Sequence, residues 1–252
     1  MNMRKITIRN MPIFMAGAFA FAMMALALIG AWRFHSPVPL SDAWHGAFQF
    51  YMQLDDAGWD LWWALHNEHR IFLSRLLFWV EYHWFGSHAF LLGFNILCVI
   101  GYCAIFRVIL KKAAPPLQPW PLAAWLALCG ILFSWMQQEN FNWEFQSQFF
   151  LAQLLPFLGL TLLALFAMQR ERIWLFVWAC VAGFAAIGSM ANGVLALPLM
   201  TLCAALLGLR WRHVLALASL SALAGALYAW GYTSQPGHGS VGDTLRAHMP
   251  GA

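Results

Sequence analysis

The feature that most constrains this chain is a series of long apolar runs, near residues 12–32, 87–106, 120–136, 148–168, 173–190, 193–209 and 214–231. Crossing a hydrocarbon core of about 30 Å takes roughly 20 helical residues, and each run meets or approaches that length. Inside lipid every backbone N–H and C=O needs an internal partner, which only helices and closed strand barrels supply. Barrel strands alternate apolar and polar residues, whereas these runs are continuous. The expected fold is therefore all-α and polytopic. It is a single membrane domain over 1–252, with about seven transmembrane helices and one large outer first loop, 33–86, carrying interfacial helices. Composition agrees. The chain is 62% hydrophobic and only 10% charged, where a soluble domain is about half apolar and a quarter charged.

Arg4, Lys5 and Arg9 precede the first run. That run is longer than the apolar core of a cleaved signal peptide and further spans follow, so it reads as a retained signal anchor. A cytoplasmic N-terminus puts Arg4, Lys5, Arg9, Arg107, Lys111, Lys112, Arg170, Arg172, Arg210 and Arg212 inside, and only Arg33, Arg70, Arg75 and Arg246 outside. This is the positive-inside bias. Acidic residues run the other way, with Glu171 alone inside. The formal charge of +4 is thus a topology signal and not a sign of nucleic-acid binding. Cys98, Cys103, Cys129, Cys180 and Cys203 all fall in apolar runs and match no zinc spacing, which suits buried small hydrophobes.

No internal repeat or low-complexity linker divides the chain. QRER (169–172) and RWRH (210–213) read as four-residue inner links, AAPPLQPWP (113–121) as a Pro-rich inner turn, and SMANG (189–193) as a tight outer tip. A tail, 232–252, leaves the last span on the outer side.

The stretch LHNEHRIFLSRLL (65–77) concentrates His66, Glu68, His69, Arg70 and Arg75 in a chain otherwise poor in charge. Residues 41–54 and 66–84 both have helical character. On a helix, Asn67, Arg70, Ser74 and Glu81 fall within about 60° of one another, a narrow polar stripe beside apolar residues. Such a helix would lie in the membrane interface, with its stripe toward a cavity or water. Without chemistry it is simply an interfacial helix. The spans hold few ionisable groups, unlike ion-coupled pumps, so the polar chemistry is placed at the outer surface.

Asp42 follows PVPLS and opens the helical segment, where it serves equally as a helix cap or as a general base taking a proton from a hydroxyl. Asp55, Asp56 and Asp60 make an acidic cluster that suits either Mg²⁺ or Mn²⁺ or a solvated turn. His66 and His69 lack the four-residue spacing of a zinc-protease helix, and hydrogen bonding to a phosphate or sugar fits them better than a metal. Arg70 and Arg75 offer planar donor forks suited to phosphate, although Arg75 sits roughly 100° or more from the Arg70 stripe and could snorkel to lipid head groups instead. QQENFNWEFQSQFF (137–150) sets Glu139, Asn140 and Glu144 among Phe141, Trp143 and Phe145. Rings beside amides and acids suit a sugar, and an interfacial aromatic belt explains the rings alone.

Together, Asp42 in SDAWHGAF, Gly58-Trp59, the segment RIFLSRLLFWVEYHW and the turn FGSHAFLLGFN resemble the N-terminal half of a GT-C-type membrane glycosyltransferase. The resemblance covers roughly residues 1–110, and this chain has Asp42-Ala43 where the family often has Asp-Glu. It implies sugar transfer from a polyprenyl-phosphate-linked donor to an acceptor at the extracytoplasmic face of a bacterial inner membrane. Asp42 would be the catalytic base, with Asp55 or Asp56 as fallback, and Arg70 with His66 or His69 would meet the departing phosphate. No metal ligand is assigned, and Mg²⁺ or Mn²⁺ stays open as a cofactor. Family members are usually longer, so the chain is expected to be truncated or to work with a partner subunit. The competing readings are another lipid-acting transferase, of acyl or phosphoethanolamine type, and a transporter or non-catalytic assembly subunit. For a transporter, Gly183, Gly188 and Pro198 are the only hints of broken helices.

Overall fold

The computed structural model describes residues 3–36, 38–56, 58–87, 89–113 and 120–233. It is helical almost throughout. The long helices are α1 (Met3–Phe34), α5 (Ala89–Ala113), α6 (Trp120–Leu132), α8 (Ser147–Met168), α9 (Ile173–Ala185), α10 (Ala196–Leu206) and α11 (Trp211–Ala229). Short helices α2 (Gln49–Gln53), α3 (Trp59–Trp63) and α4 (Phe72–Val80) lie between α1 and α5, and α7 (Gln138–Asn142) lies between α6 and α8. The only strands among the described residues, β1 (Leu65–His66) and β2 (His69–Arg70), pair as one antiparallel hairpin.

Five helical stretches are long and apolar enough to cross a membrane: Asn10–Phe34, Ala89–Ala113, Trp120–Asn142, Glu144–Met168 and Trp211–Ala229. Ile173–Gly188 and Ala191–Leu206 are apolar but shorter, so five of the seven expected runs form helices of spanning length and the other two do not reach it. Large apolar side chains such as Phe14, Phe21, Trp32, Trp174, Leu202 and Leu223 stay exposed. In number and size they far exceed what a water-facing monomer tolerates, and they suit a protein embedded in lipid.

Two cores hold the long helices. One gathers Leu163, Phe166, Ala179, Met200 and Leu217 from α8 to α11. The other gathers Ala20, Ala27, Cys98, Cys129, Phe133 and Phe141. Small residues bring the second one close, since a side chain at Gly130 would strike Phe19 and Ala20. All five cysteines are unpaired. A third core, Ala43, Phe50, Ile71, Phe78, Leu91 and Phe145, belongs to the connecting segments.

The bundle therefore has two unlike ends. At the loop end, the described residues between 35 and 87 and those of 133–146 fold over the helices, and the α9–α10 connection and the end of α11 meet them. At the turn end, α8 joins α9 and α10 joins α11 through tight links. The second link is 207–210, because α11 already begins at Trp211, and the expected RWRH link is mostly helix. It is closed by a left-handed Gly208 (φ 62°). Leu209 N–H bonds to Ala204 C=O and Gly208 N–H to Ala205 C=O, both at 3.0 Å, the paired pattern that satisfies the last carbonyls of a helix. The Pro-rich segment falls largely, and the tail almost wholly, outside the described residues.

Candidate functional site

The loop end is built by a chain that turns four times in fifty residues. After α1, Asp42 and Ala43 lead into a widened helical turn, Trp44–Phe48, that runs on into α2. A turn at 54–56 and α3 follow, then the hairpin, then α4. The sequence expectation of one helix over 66–84 holds only from Phe72 onward. Asn67 and Glu68 form a two-residue turn with Asn67 at φ 53°, a left-handed conformation that asparagine tolerates well. The hairpin pairs Leu65 with Arg70 and His66 with His69. Asn67 and Arg70 are therefore not on the helical stripe at all. Its remaining members, Ser74 and Glu81, are buried, so the stripe faces protein and not water.

Both arginines are buried, at 4% and 5% exposure. Arg70 donates to Trp63 C=O, to Tyr228 C=O at 3.3 Å and to Trp230 C=O at 2.5 Å, with its guanidinium 5.5 Å from the Trp63 ring centre. Arg75 donates to Trp62 C=O at 3.2 Å and Ala64 C=O at 2.5 Å. These carbonyls are the unpaired ones at the C-terminal ends of α3 and α11, where a helix dipole favours positive charge. Trp63 Nε1 donates to Leu227 C=O and Tyr228 Oη to Glu68 C=O, which completes the seam. The arginines are thus helix-end clamps, and neither snorkels. Burial, and then the Arg70 charge, pulls the Arg75 pKa down to about 10. Carbonyls solvate a guanidinium without neutralising it, so its field persists. Arg70 also lines a cavity of about 700 Å³ walled by Trp59, Trp62, Trp63, Phe72 and Trp230.

His66 is buried between Gly46 and the Phe145 ring, 5.2 Å away edge to face. A side chain at Gly46 would collide with Phe145, which fixes the close approach of the two segments. The His66 Nε2 is buried with no hydrogen-bond partner. Burial is the main cause holding its pKa near 4; the Asp42 carboxylate acts in the opposite sense, and Arg75, His69 and His45 reinforce the lowering. The imidazole is therefore neutral at pH 7. Asp42 itself is exposed. The helical turn that follows is entered through Ala43, which has no side chain able to cap it, and the Asp42 carboxylate lies open to solvent beside a buried, neutral histidine.

Next to Ala43 opens a cavity of about 320 Å³ lined by Tyr51, Tyr82, Glu81 and Glu144. Both glutamates are 2% exposed. Glu81 accepts from Ser87 N–H at 2.8 Å and Leu91 N–H at 3.2 Å, and so caps the start of α5. The Tyr51 hydroxyl is buried without a partner. Burial first, then Glu81 and Glu144, raises its pKa well above the usual phenol value. Around it lies a polar layer in which Ser147 Oγ donates to Ser74 Oγ at 3.0 Å and Asn95 donates to Trp143 C=O at 3.2 Å. Tyr51, Ser74, Glu81, Asn95 and Ser147 were not singled out as site residues from the sequence. Of these, Ser74 and Glu81 were visible as polar interruptions of an apolar helix.

The other expected residues scatter. Asp55 and Asp56 are exposed on the 54–56 turn, and Glu139 is exposed on α7. Asn140 bonds Gln137 at 3.1 Å. His69 Nδ1 accepts from Ala191 N–H at 3.4 Å, which ties the hairpin to the α9–α10 connection. Glu68 engages through its backbone. Glu144 is the residue of the 137–150 segment that reaches the cavity beside Asp42. Among the described residues, no group of three His, Cys, Asp or Glu side chains is arranged to hold a metal ion. No protein family, curated protein or solved structure matches the chain. Its chemistry has to be read from these residues alone.

Proposed function

We propose that this protein transfers a sugar from a polyprenyl-phosphate-linked donor to an acceptor hydroxyl, on the extracytoplasmic side of a bacterial inner membrane. The observation that carries the reading is Asp42. It is a solvent-facing carboxylate just before the Trp44–Phe48 helical turn, beside neutral His66 and adjoining Ala43, which lines the cavity that holds Glu81 and Glu144. An ionised carboxylate there can take the acceptor proton. The attacking oxygen forms the new bond at the anomeric carbon as the bond to the polyprenyl phosphate breaks, and the electron pair leaves on the phosphate. Arg70 supplies fixed positive charge toward that leaving group from the aromatic-walled cavity. Mg²⁺ or Mn²⁺ is a candidate aid to the same charge, and a partner subunit is a candidate source of missing contacts. The basic residues of the turn end and the acidic residues of the loop end support the orientation.

The test is mass spectrometry of polyprenyl-phosphate-linked sugars in cells lacking the protein, carrying it, or carrying Asp42→Asn. One lipid-linked sugar should accumulate without the protein, fall with the native chain and recover with the variant. Three equal profiles, with the protein present and folded, would reject the sugar-transfer reading and leave another lipid-acting transferase, a transporter or an assembly subunit.

A further inference from the structure

At the opposite end of the molecule a second cavity, about 380 Å³, opens between the 169–172 and 207–210 links. Its floor is dry: Phe166 and Leu209 are buried at 1% and 7% exposure. His213 stands over the floor, its ring held edge-on by Phe166 at 5.0 Å and Phe176 at 4.8 Å. The His213 Nδ1 is buried with no hydrogen-bond partner. Arg170 and Arg210 form an exposed rim, and both charges bear on the His213 ring. Arg170 donates to Gly208 C=O at 3.1 Å, which joins the two links and leaves the rest of its donor fork available. The Arg210 guanidinium has no hydrogen bond or ion pair among the described residues, and only its backbone carbonyl accepts, from His213 and Val214 N–H. Glu171 is the single acid on the rim. Arg170 and Arg210 against this one carboxylate leave the mouth net positive. The α11 helix starts at this mouth with no acidic residue in its first turn and no side-chain cap, which adds a positive dipole end.

We propose that this cavity binds a phosphate group at the turn end of the bundle. Two guanidinium forks over an apolar floor match the planar, charge-assisted recognition that phosphate receives from arginine, and a partly dry floor strengthens it. The phosphate belongs either to an anionic lipid head group in the adjoining leaflet or to a free phosphate ester in the adjoining water. Basic pockets between membrane helices hold lipid head groups in this way. Aligned arginines that served only to orient the chain in the membrane would need no shared cavity, no link-to-link bond and no histidine held beneath them. The inference is independent of any sugar transfer at the loop end.

The test uses the full chain in detergent, titrated with short-chain phosphatidylglycerol or phosphatidylcholine, with retained lipid counted by native mass spectrometry. One phosphatidylglycerol should be retained at concentrations where phosphatidylcholine is not. Arg210→Gln, an exposed residue whose loss leaves the fold intact, should weaken that retention roughly tenfold. Arg107→Gln removes the same charge from α5, where the side chain lies over Trp125, and should leave retention unchanged. Displacement by inorganic phosphate would assign the site to free phosphate esters, and resistance to it would assign the site to the lipid head group. Equal retention of the two lipids, or equal effects of Arg210→Gln and Arg107→Gln, would overturn the proposal.

Discussion

The loop end buries charge of a kind that the turn end leaves exposed. At the loop end Arg70, Arg75, Glu81 and Glu144 are buried to 5% exposure or less; Arg70 and Arg75 donate to backbone carbonyls at helix ends, and Glu81 accepts from backbone N–H groups at the start of α5. At the turn end Arg170, Arg172, Arg210 and Arg212 are exposed around short links. A buried charge is costly unless its donors or acceptors are matched, so the loop end is rigid where its charges sit. The turn end keeps its charges in water, where they cost little and remain free to meet a ligand.

The sharpest way to break this contrast is to remove a buried clamp. Arg70→Met should cost about 3 kcal/mol or more, because it strips partners from the carbonyl ends of both α3 and α11. Thermal melting in detergent would show it, and a loss under about 1 kcal/mol would mean that water replaces the guanidinium.

The second break is acid. His66 has a pKa of about 4 in the folded chain against about 6.5 unfolded. The unfolded chain therefore binds more protons between these values. The stability from burying the neutral ring is full above about pH 6.5 and is lost as the pH falls toward about 4. That is about 2 kcal/mol by pH 5. Melting temperature should fall over this range in the native chain and fall less in His66→Gln. Parallel curves would show that His66 does not carry the pH dependence. The smallest effect belongs to the turn end, where Arg172→Gln should shift stability by no more than about 0.5 kcal/mol.

Much of the helical framework was legible in the sequence because continuous apolar runs have only one economical solution in lipid. The helical segment after Asp42 was legible too, from its position after a Pro-rich stretch. The hairpin was not. HNEHR spans only one turn, too short for a period of two to show against a period of 3.6, and the apolar run of the helix that follows, from Phe72, continues the same pattern. The role of Arg70 was hidden for a different reason. Two of its three carbonyl partners lie 158 and 160 residues away, and nothing local to either segment announces the other. Glu81 was placed correctly on a stripe with Ser74, but periodicity gives a face and not what covers it. The covering layer comes from Glu144 and Ser147 at the start of α8.

The Arg70 clamp also sets an order of events. A chain made from its N-terminus has Arg70 and Trp63 synthesised long before α11, yet two of the three carbonyls that accept from the Arg70 fork belong to Tyr228 and Trp230. Until α11 arrives, the guanidinium has only the Trp63 carbonyl as its partner. This seam is thus completed from the far end of the chain, although the arginine that makes it is synthesised early.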